Sequence, residues 1–259
     1  MRFAAAFFAL AALTAVSAQD ASLGAADLAR VKEHARADFE RIANFTCQET
    51  VRRYVKTKRA PGWRSLDTLR FEVALFGGKE LFAPAGAREF HEIDTVALVH
   101  KGAVSTGTFS STVRNLFVHE GGRTTGPAEE SLQGRPALRF DFVLSADDSG
   151  YIITRGARQL MVGLRGSYWV DAKALDLLRI VQHAADLPED LQMAAVTTTI
   201  DYGRTRIGAS NPLLARSAHV IVVETNGRQE RNVTEFSNCR EFGSESVIRF
   251  DEPATPAKK

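Results

Sequence analysis

The chain has 259 residues, of which 33 are basic and 31 are acidic, and 44% of its residues are hydrophobic. Because acids and bases are interspersed, there is no electrostatic case for a nucleic-acid-binding protein, which requires a clustered basic face. The length is compatible with one large β-rich domain or two small ones, and without a solenoid or propeller repeat we expect a single β-rich domain at residues 19–251.

The N-terminus predicts an exported protein. Met1-Arg2 is a short positive segment, and the apolar run from Phe3 to Val16 leads into Val16-Ser17-Ala18, the small residues that a signal peptidase reads. The run has about 14 residues, fewer than the roughly 20 that span a bilayer. We therefore expect residues 1–18 to be removed by cleavage after Ala18, no membrane span to remain, and a periplasmic or secreted protein. The Pro-rich, charged residues 252–259 are predicted to be a disordered tail.

The first element of the mature chain is predicted to be a helix from Ser22 to Ala43, with Ser22 as its N-cap. Its apolar residues recur at spacings of three and four, and they are Leu28, Val31, Ala35, Phe39 and Ile42. The opposite face mixes acidic and basic side chains. This mixture favours a helix that covers a sheet over one that binds a membrane surface or a partner.

Strand-like alternation follows the helix. It covers residues 46–58 and 66–76, with a break at Pro61-Gly62, and Gly77-Gly78 predicts a tight turn into a third strand at residues 79–84. Apolar and polar side chains alternate along these segments. The pattern is typical of an antiparallel sheet that is buried on one face.

A second, shorter helix is predicted from Thr106 to Phe117, capped by Thr106 or Thr108. The hydroxyl groups at its start could instead hold an anion, and the sequence leaves this alternative open. Strands resume after Gly121-Gly122, at residues 138–144 and 151–154.

The remainder of the chain is predicted to be strands joined by short turns. A three-stranded meander covers residues 166–202, and a hairpin turns at Asn226-Gly227, a sequence typical of a type I′ turn. The last strand is placed at residues 246–250. About eleven short strands and two helices predict a mainly β (α+β) fold: a large curved antiparallel sheet, or half-barrel, covered on one face by the N-terminal helix and the short internal helix.

Four short motifs carry a resemblance to known proteins. They read Asn44-Phe-Thr-Cys-Gln-Glu-Thr-Val-Arg-Arg-Tyr54, Ser105-Thr-Gly107, Tyr168-Trp-Val-Asp171 with Arg179-Ile180, and Asp201-Tyr-Gly203. On these motifs the chain resembles a widespread group of exported, mostly uncharacterised bacterial proteins. The Trp-Val-Asp hairpin is also similar to one in periplasmic lipoprotein carriers of the LolA type and in the related sensor RseB. The second resemblance implies a half-barrel that encloses helices.

The sequence contains no familiar catalytic motif. It lacks a Gly-x-Ser-x-Gly elbow, a phosphate-binding Gly-rich loop and a zinc-protease helix. The six histidines show no pair at metal-ligand spacing, and the closest cluster, His91-Glu92 beside Glu89, is interpreted as a solvated loop. We therefore expect no metal, no cofactor and a non-enzymatic role, although a site built from distant residues would escape this search.

Three functional hypotheses remain. The first is a carrier or binder of an apolar ligand, such as a lipid or a lipoprotein acyl chain, held between the sheet and its helices. Its predicted ligand-binding residues are Leu69, Phe71, Val73, Phe140 and Phe142. The second is an envelope protein-interaction or sensor module, which a packed interior would favour. The third is a hydrolase with a dispersed site, which a buried cluster of titratable groups would favour.

The alternation also predicts which side chains are buried. Seven apolar residues should face Val31, Phe39 and Ile42 of the first helix, and they are Leu69, Phe71, Val73, Leu138, Phe140, Phe142 and Leu144. Four charged residues between them should point to water, and they are Arg70, Glu72, Arg139 and Asp141.

Cys47 and Cys239 are the two cysteines of the chain. An even number of cysteines in an exported protein favours a disulfide between them. Cys47 opens the first predicted strand and Cys239 ends the penultimate one, so the bond would join the first strand to the far end of the sheet. The alternative is a pair of unbonded, buried cysteines that act as small hydrophobic residues.

Overall fold

The computed structural model describes residues 12–42, 45–76, 79–86, 89–90, 102–105, 107–119, 121–156, 158–241 and 247–248. Its helices are α1 (Ala12–Ile42), α2 (Ser111–Phe117) and α3 (Ala146–Ser149). Its strands are β1 (Phe45–Thr57), β2 (Ala60–Phe76), β3 (Lys79–Pro84), β4 (Glu89–Phe90), β5 (Arg123–Leu132), β6 (Arg135–Leu144), β7 (Tyr151–Arg155), β8 (Arg158–Val162), β9 (Leu164–Asp171), β10 (Leu177–Ala184), β11 (Met193–Arg204), β12 (Leu213–Glu224), β13 (Gln229–Glu241) and β14 (Val247–Ile248).

Ten strands form one open antiparallel sheet, in the order β3-β2-β1-β13-β12-β11-β10-β9-β6-β5. The β7–β8 hairpin and the short parallel pair β4–β14 lie outside it. The predicted meander appears as β9, β10 and β11, each paired with the next. This architecture confirms the predicted mainly β fold, an open curved sheet with few helices.

The two faces of the sheet differ sharply in polarity. We call the face that carries Cys47, Val73 and Phe140 the inner face, because these residues belong to the main apolar core. Helices α1 and α2 cover this face at one end of the strands, and the β7–β8 hairpin packs on Val196, Val220 and Val222 at the other. The outer face carries most of the polar side chains.

Helix α1 is longer than the sequence predicted. It begins at Ala12 and passes through Ser22, so Ser22 is not an N-cap. The reason is that the Ala-rich segment before Ser22 is itself a good helix former, and nothing in it stops the helix. Among the described residues, no helix combines the length and the hydropathy of a membrane-spanning segment.

Several turns differ in detail from their predictions. The β1–β2 turn lies at Lys58-Arg59, and β2 runs through Pro61-Gly62, which is therefore not a break. The β12–β13 turn lies at Asn226-Gly227 as predicted, but only Gly227 has a positive φ, +85°, whereas a type I′ turn requires two such residues. A Cβ at Gly227 would lie 2.3 Å from Cε of Lys58, so glycine also makes room for the neighbouring turn.

Most of the predicted buried residues are buried. Val73, Phe140, Phe142 and Leu144 are at most 3% exposed, and Phe71 and Leu138 pack against the same core together with Val31 and Phe39 of α1. Leu69 is partly buried.

Glu72 lies on the outer face as predicted, but its exposure to water was predicted wrongly. It is 4% exposed, and its carboxylate pairs with Arg240 at 2.9 Å. Its cross-strand partner Ala83 belongs to a small apolar cluster with Ala74, Leu81 and Phe90 of β4. This apolar cluster adds a layer on the outer face, and the layer buries Glu72. Alternation along β2 contains no information about such a layer, so the sequence pattern predicted exposure.

The predicted disulfide between Cys47 and Cys239 is present, with the two Cα atoms 4.0 Å apart. The bond does not reach the far end of the sheet, because β1 and β13 are neighbours. Their register shifts between Thr46 and Gln48, where two residues of β13 face Cys47 alone. The second of those two residues is Cys239.

Some predictions lie outside the described residues. They concern most of the signal segment, the turn at Gly77-Gly78, the cluster at His91-Glu92, the cap Thr106, parts of the last strand and the tail at 252–259. The side chain of Ile42 also lies outside them.

Candidate functional site

The residues predicted to bind an apolar ligand lie on the inner face of two strands. Phe71 and Val73 of β2 and Phe140 and Phe142 of β6 belong to the main core, while Leu69 is partly buried on β2. Val31 and Ala35 of α1 and Val113, Leu116 and Phe117 of α2 belong to the same core, so the helices cover this surface.

Helix α2 is firmly seated in the core. The ring of Phe117 meets the ring of Tyr168 on β9 at 5.0 Å, and Tyr168 in turn stacks on Phe140 at 5.2 Å. Just before α2, Phe109 meets Phe236 on β13 at 5.3 Å. Aromatic pairs of this kind add to the stability that burial alone provides. The strands β9 and β13 are four places apart in the sheet. Helix α2, together with the residues just before it, therefore spans a wide part of the inner face.

The start of α2 is held by an acidic side chain from β3. The carboxylate of Glu80 accepts hydrogen bonds from the backbone N–H groups of Gly107, Ser110 and Ser111, at 2.7 to 3.0 Å. The hydroxyl groups of Ser110 and Ser111 donate to the same carboxylate. The sequence left open whether the hydroxyl-rich helix start holds an anion, and in the structure Glu80 of the protein itself takes that position.

Helix α1 is seated less deeply. Among its described side chains, Val31 and Ala35 are the only apolar ones that are fully buried, and Leu28 and Phe39 are partly buried. Near its start, a Cβ at Gly24 would lie 3.1 Å from the carbonyl oxygen of Gly126 on β5. The helix therefore crosses the inner face from β5 towards β11 and β12, with a narrow apolar contact.

The C-terminal half of α1 is attached to the sheet by a polar group that we call the clamp, formed by His34, Asp38, Asp176 and Arg204. The two Nη atoms of Arg204 each donate to one carboxylate oxygen of Asp38 at 2.8 Å. The same guanidinium donates to Asp176 at 2.5 and 3.0 Å, and Nε2 of His34 lies 3.0 Å from Asp176. Arg204 thus binds a helix residue and a residue of the β9–β10 turn at once.

The contacts of the clamp shift the pKa values of Asp176 and Arg204. Burial disfavours the ionised form of Asp176, but hydrogen bonds from Arg204 and His34 outweigh it, so the pKa of Asp176 is lowered. The bond to Asp176 likewise raises the pKa of Arg204. His34, Asp38 and Asp176 are residue types that can hold a metal ion, and their ligand atoms lie within 4.8 Å of one another. The guanidinium of Arg204 already occupies the cationic position between the two carboxylates.

A second buried acid lies on the inner face of β1. Glu49 is 3% exposed, and burial, with a smaller contribution from the negative charge of Glu80, raises the pKa of Glu49 to about 8. Its cross-strand neighbours are Phe71 on β2 and Phe236 on β13. A carboxyl group with a pKa near neutrality could act as a general acid or base. The two cross-strand neighbours of Glu49 are phenylalanines, however, and a phenylalanine side chain supplies no nucleophile.

Another polar group lies further along the same strand. Arg53 is buried on the inner face, donates to both carboxylate oxygens of Asp67 at 2.5 and 2.7 Å, and donates to the carbonyl oxygen of Ala103 at 3.2 Å. Asn232 donates to the same carbonyl at 3.1 Å, and the N–H of Ala103 donates to Glu230. These contacts fasten the segment around Ala103 to the sheet, a structural role.

Sequence reasoning missed the polar residues of the inner face. Glu49 and Arg53 follow the two-residue period of Cys47, Val51 and Val55, so the pattern of β1 could have revealed them as buried. The clamp had no such signal, because its members come from α1, a turn and β11. A shallow groove of about 420 Å³ at the β5–β6 turn, lined by Glu129, Glu130, Ser131, Gly134 and Pro136, includes none of the predicted residues.

Comparisons with known proteins do not identify a family for this chain. No protein-family model matches the sequence, and no curated protein matches it. Six solved chains are similar to it. One of them, a DUF1329 family protein from Desulfovibrio piger ATCC 29098, is 13% identical with a TM-score of 0.43, over 82% of this chain and 92% of that chain. A similarity at this level carries no argument about function.

Proposed function

We propose that the protein is an exported, non-enzymatic carrier that holds an apolar ligand, such as a lipid or a lipoprotein acyl chain, between α1 and the inner face of the sheet. The observation that carries the proposal is the way in which α1 is attached. Among the described side chains of α1, only two apolar ones, Val31 and Ala35, are fully buried against the apolar inner face, and a polar clamp attaches the helix at one end. The disulfide supports export, since such bonds are typical of proteins that fold outside the cytoplasm.

The energies involved are compatible with displacement of α1 by a ligand. Burial of a large apolar side chain stabilises a protein by roughly 1.5–3 kcal/mol, so the apolar contact of α1 is modest. An acyl chain gains about 0.8 kcal/mol for each CH₂ group that it buries, or roughly 11 kcal/mol for about 14 such groups. A bound acyl chain can therefore replace the contacts that α1 gives up when it lifts.

The experiment is the binding of a fluorescent fatty acid to the wild-type protein and to two arginine variants. Arg204→Gln removes the two hydrogen bonds between β11 and Asp38 of α1, and it should accelerate association of the probe. Arg179→Gln is the matched control, because Arg179 pairs with Asp201 at 2.7 Å without contacting α1. It should leave the association rate unchanged.

Two further variants locate the bound probe. Val73→Phe adds volume to the inner face and should weaken binding of the probe. Val143→Phe is the control, because it adds the same volume at a residue that is 48% exposed. Absence of binding at saturating probe, by both the wild type and a folded Arg204→Gln variant, would reject the carrier.

The second candidate is an envelope protein-interaction or sensor module. It is favoured by the close packing of α2 against Tyr168 and Phe140, which fills the inner face at that point. Failure of both the wild type and Arg204→Gln to bind the probe would select this function.

A further inference from the structure

The β1–β2 hairpin concentrates positive charge in a chain that is otherwise nearly neutral. The chain as a whole carries a formal net charge of +2, yet residues 51–70 contain seven basic side chains and a single acidic one, Asp67. Two of the seven are neutralised, because Arg53 points inward to Asp67 and Arg52 pairs with Glu235 on β13. The interspersed charges of the sequence therefore do not produce an evenly mixed surface.

The remaining basic side chains have no acidic partner among the described residues. Lys58, Arg59, Arg64 and Arg70 are exposed, and Lys56 is partly exposed. The side chain of Lys58 lies against Gly227 of the β12–β13 turn. The charge is thus presented by a supported hairpin at one edge of the molecule.

Aromatic rings lie among these cations. Nζ of Lys56 lies 4.7 Å from the centre of the Trp63 ring, and Cζ of Arg231 lies 4.6 Å from the same ring and 4.8 Å from the ring of Tyr54. We call Tyr54, Lys56, Trp63 and Arg231, together with the turn Lys58-Arg59, the basic-aromatic patch. Its rings are half-exposed, so they are available to a partner as well as to the neighbouring cations.

We infer that the basic-aromatic patch binds the surface of an anionic phospholipid membrane. Lys and Arg are attracted to lipid phosphates, and Trp and Tyr are favoured at the membrane–water interface, so the patch combines both elements of such a surface. The disulfide indicates folding outside the cytoplasm, where membrane lipids rather than nucleic acids are the abundant phosphate surface. This inference goes beyond the carrier function and does not depend on it.

The test is sedimentation of the mature protein with vesicles of phosphatidylcholine, alone or mixed with phosphatidylglycerol. The wild type should bind the mixed vesicles, and added salt should weaken the binding because the charges are exposed. The double variant Lys58→Glu/Arg59→Glu should lose at least about 30-fold in affinity, since each basic residue near the membrane contributes about fivefold.

The matched control is Lys173→Glu/Arg206→Glu, which makes the same change of net charge at two exposed residues outside the patch. It should bind the mixed vesicles like the wild type. In a Trp169→Phe background, the fluorescence of Trp63 should shift to shorter wavelength on binding.

Three results would overturn the inference. They are no binding of the wild type at low salt, equal losses in the two double variants, and binding to a polyanionic polysaccharide without binding to the vesicles. The vesicle assay contains no fatty-acid probe, so its outcome is separate from that of the carrier experiment.

Discussion

Arg204 of β11 holds Asp38 of α1 with both of its Nη atoms, at 2.8 Å each, although 166 residues separate the two in sequence. The Asp38 side chain is 4% exposed, and Arg204 is its closest cation, while Arg41 and His34 of the same helix lie 3.3 and 3.4 Å from it. The pair is the main polar attachment of the covering helix to the sheet.

Removal of the arginine should therefore destabilise the protein. We expect Arg204→Gln to lower the free energy of unfolding at neutral pH by about 3 kcal/mol, because the buried carboxylate of Asp38 loses both of its shortest hydrogen bonds and Asp176 loses the same partner. Arg179→Gln, which breaks a more exposed pair with Asp201, should cost about 1 kcal/mol or less. Urea unfolding measures both values, and equal losses would show that the clamp has no special role.

Glu49 should make stability depend on pH. Its folded-state pKa of about 8 lies above the ordinary value of 4.5 for a glutamate, so the folded protein binds more protons than the unfolded chain between these values. Its contribution to stability is fully present below about pH 4.5 and is lost as the pH rises to about 8. The Glu49→Gln variant should lack this loss and exceed the wild type in stability at pH 8. Parallel stability curves for the two proteins from pH 5 to about 8 would contradict the assignment.

The disulfide should contribute strongly to stability. The bonded residues are 192 positions apart, and the chain-entropy model gives about 5 kcal/mol for a loop of that length. Cys47→Ala/Cys239→Ala should lower the free energy of unfolding by an amount approaching this value. Thiol titration of the unfolded, unreduced wild type should detect no free thiol, and detection of two would rule out the bond.

Phe140 should be among the most sensitive core positions. Its ring is fully buried and stacks on Tyr168, so Phe140→Ala should cost roughly 3–5 kcal/mol. Val143→Ala, on the same strand but 48% exposed, should change stability by about 0.5 kcal/mol or less. A small loss for Phe140→Ala would contradict the close packing around this ring.

The local features of the fold were predictable from the sequence, and the long-range ones were not. The two-residue period of β2 and β6 placed Phe71, Val73 and Phe140 correctly on the inner face, because side chains alternate along any strand. The same period could not predict that Glu72 is buried under a second layer on the outer face. That burial depends on Phe90 and Arg240, which come from distant parts of the chain.

The candidate site was less predictable than the fold. Glu80 as the anion at the start of α2, and Arg204 as the partner of Asp38, both depend on contacts between segments that no local pattern connects. The apolar residues proposed for ligand binding were identified because burial has a periodic signal. Whether they bind a ligand depends on the motion of α1, for which the sequence contains no such signal.

The position of β13 between β1 and β12 has a consequence for the newly made chain. Until residues 229–241 are available, the sheet can exist only as two separate parts, one of three strands and one of six, each with an unpaired edge. Synthesis from the N-terminus supplies the joining strand last among the strands of this sheet. The nascent protein therefore cannot complete this sheet until almost the whole chain has been synthesised.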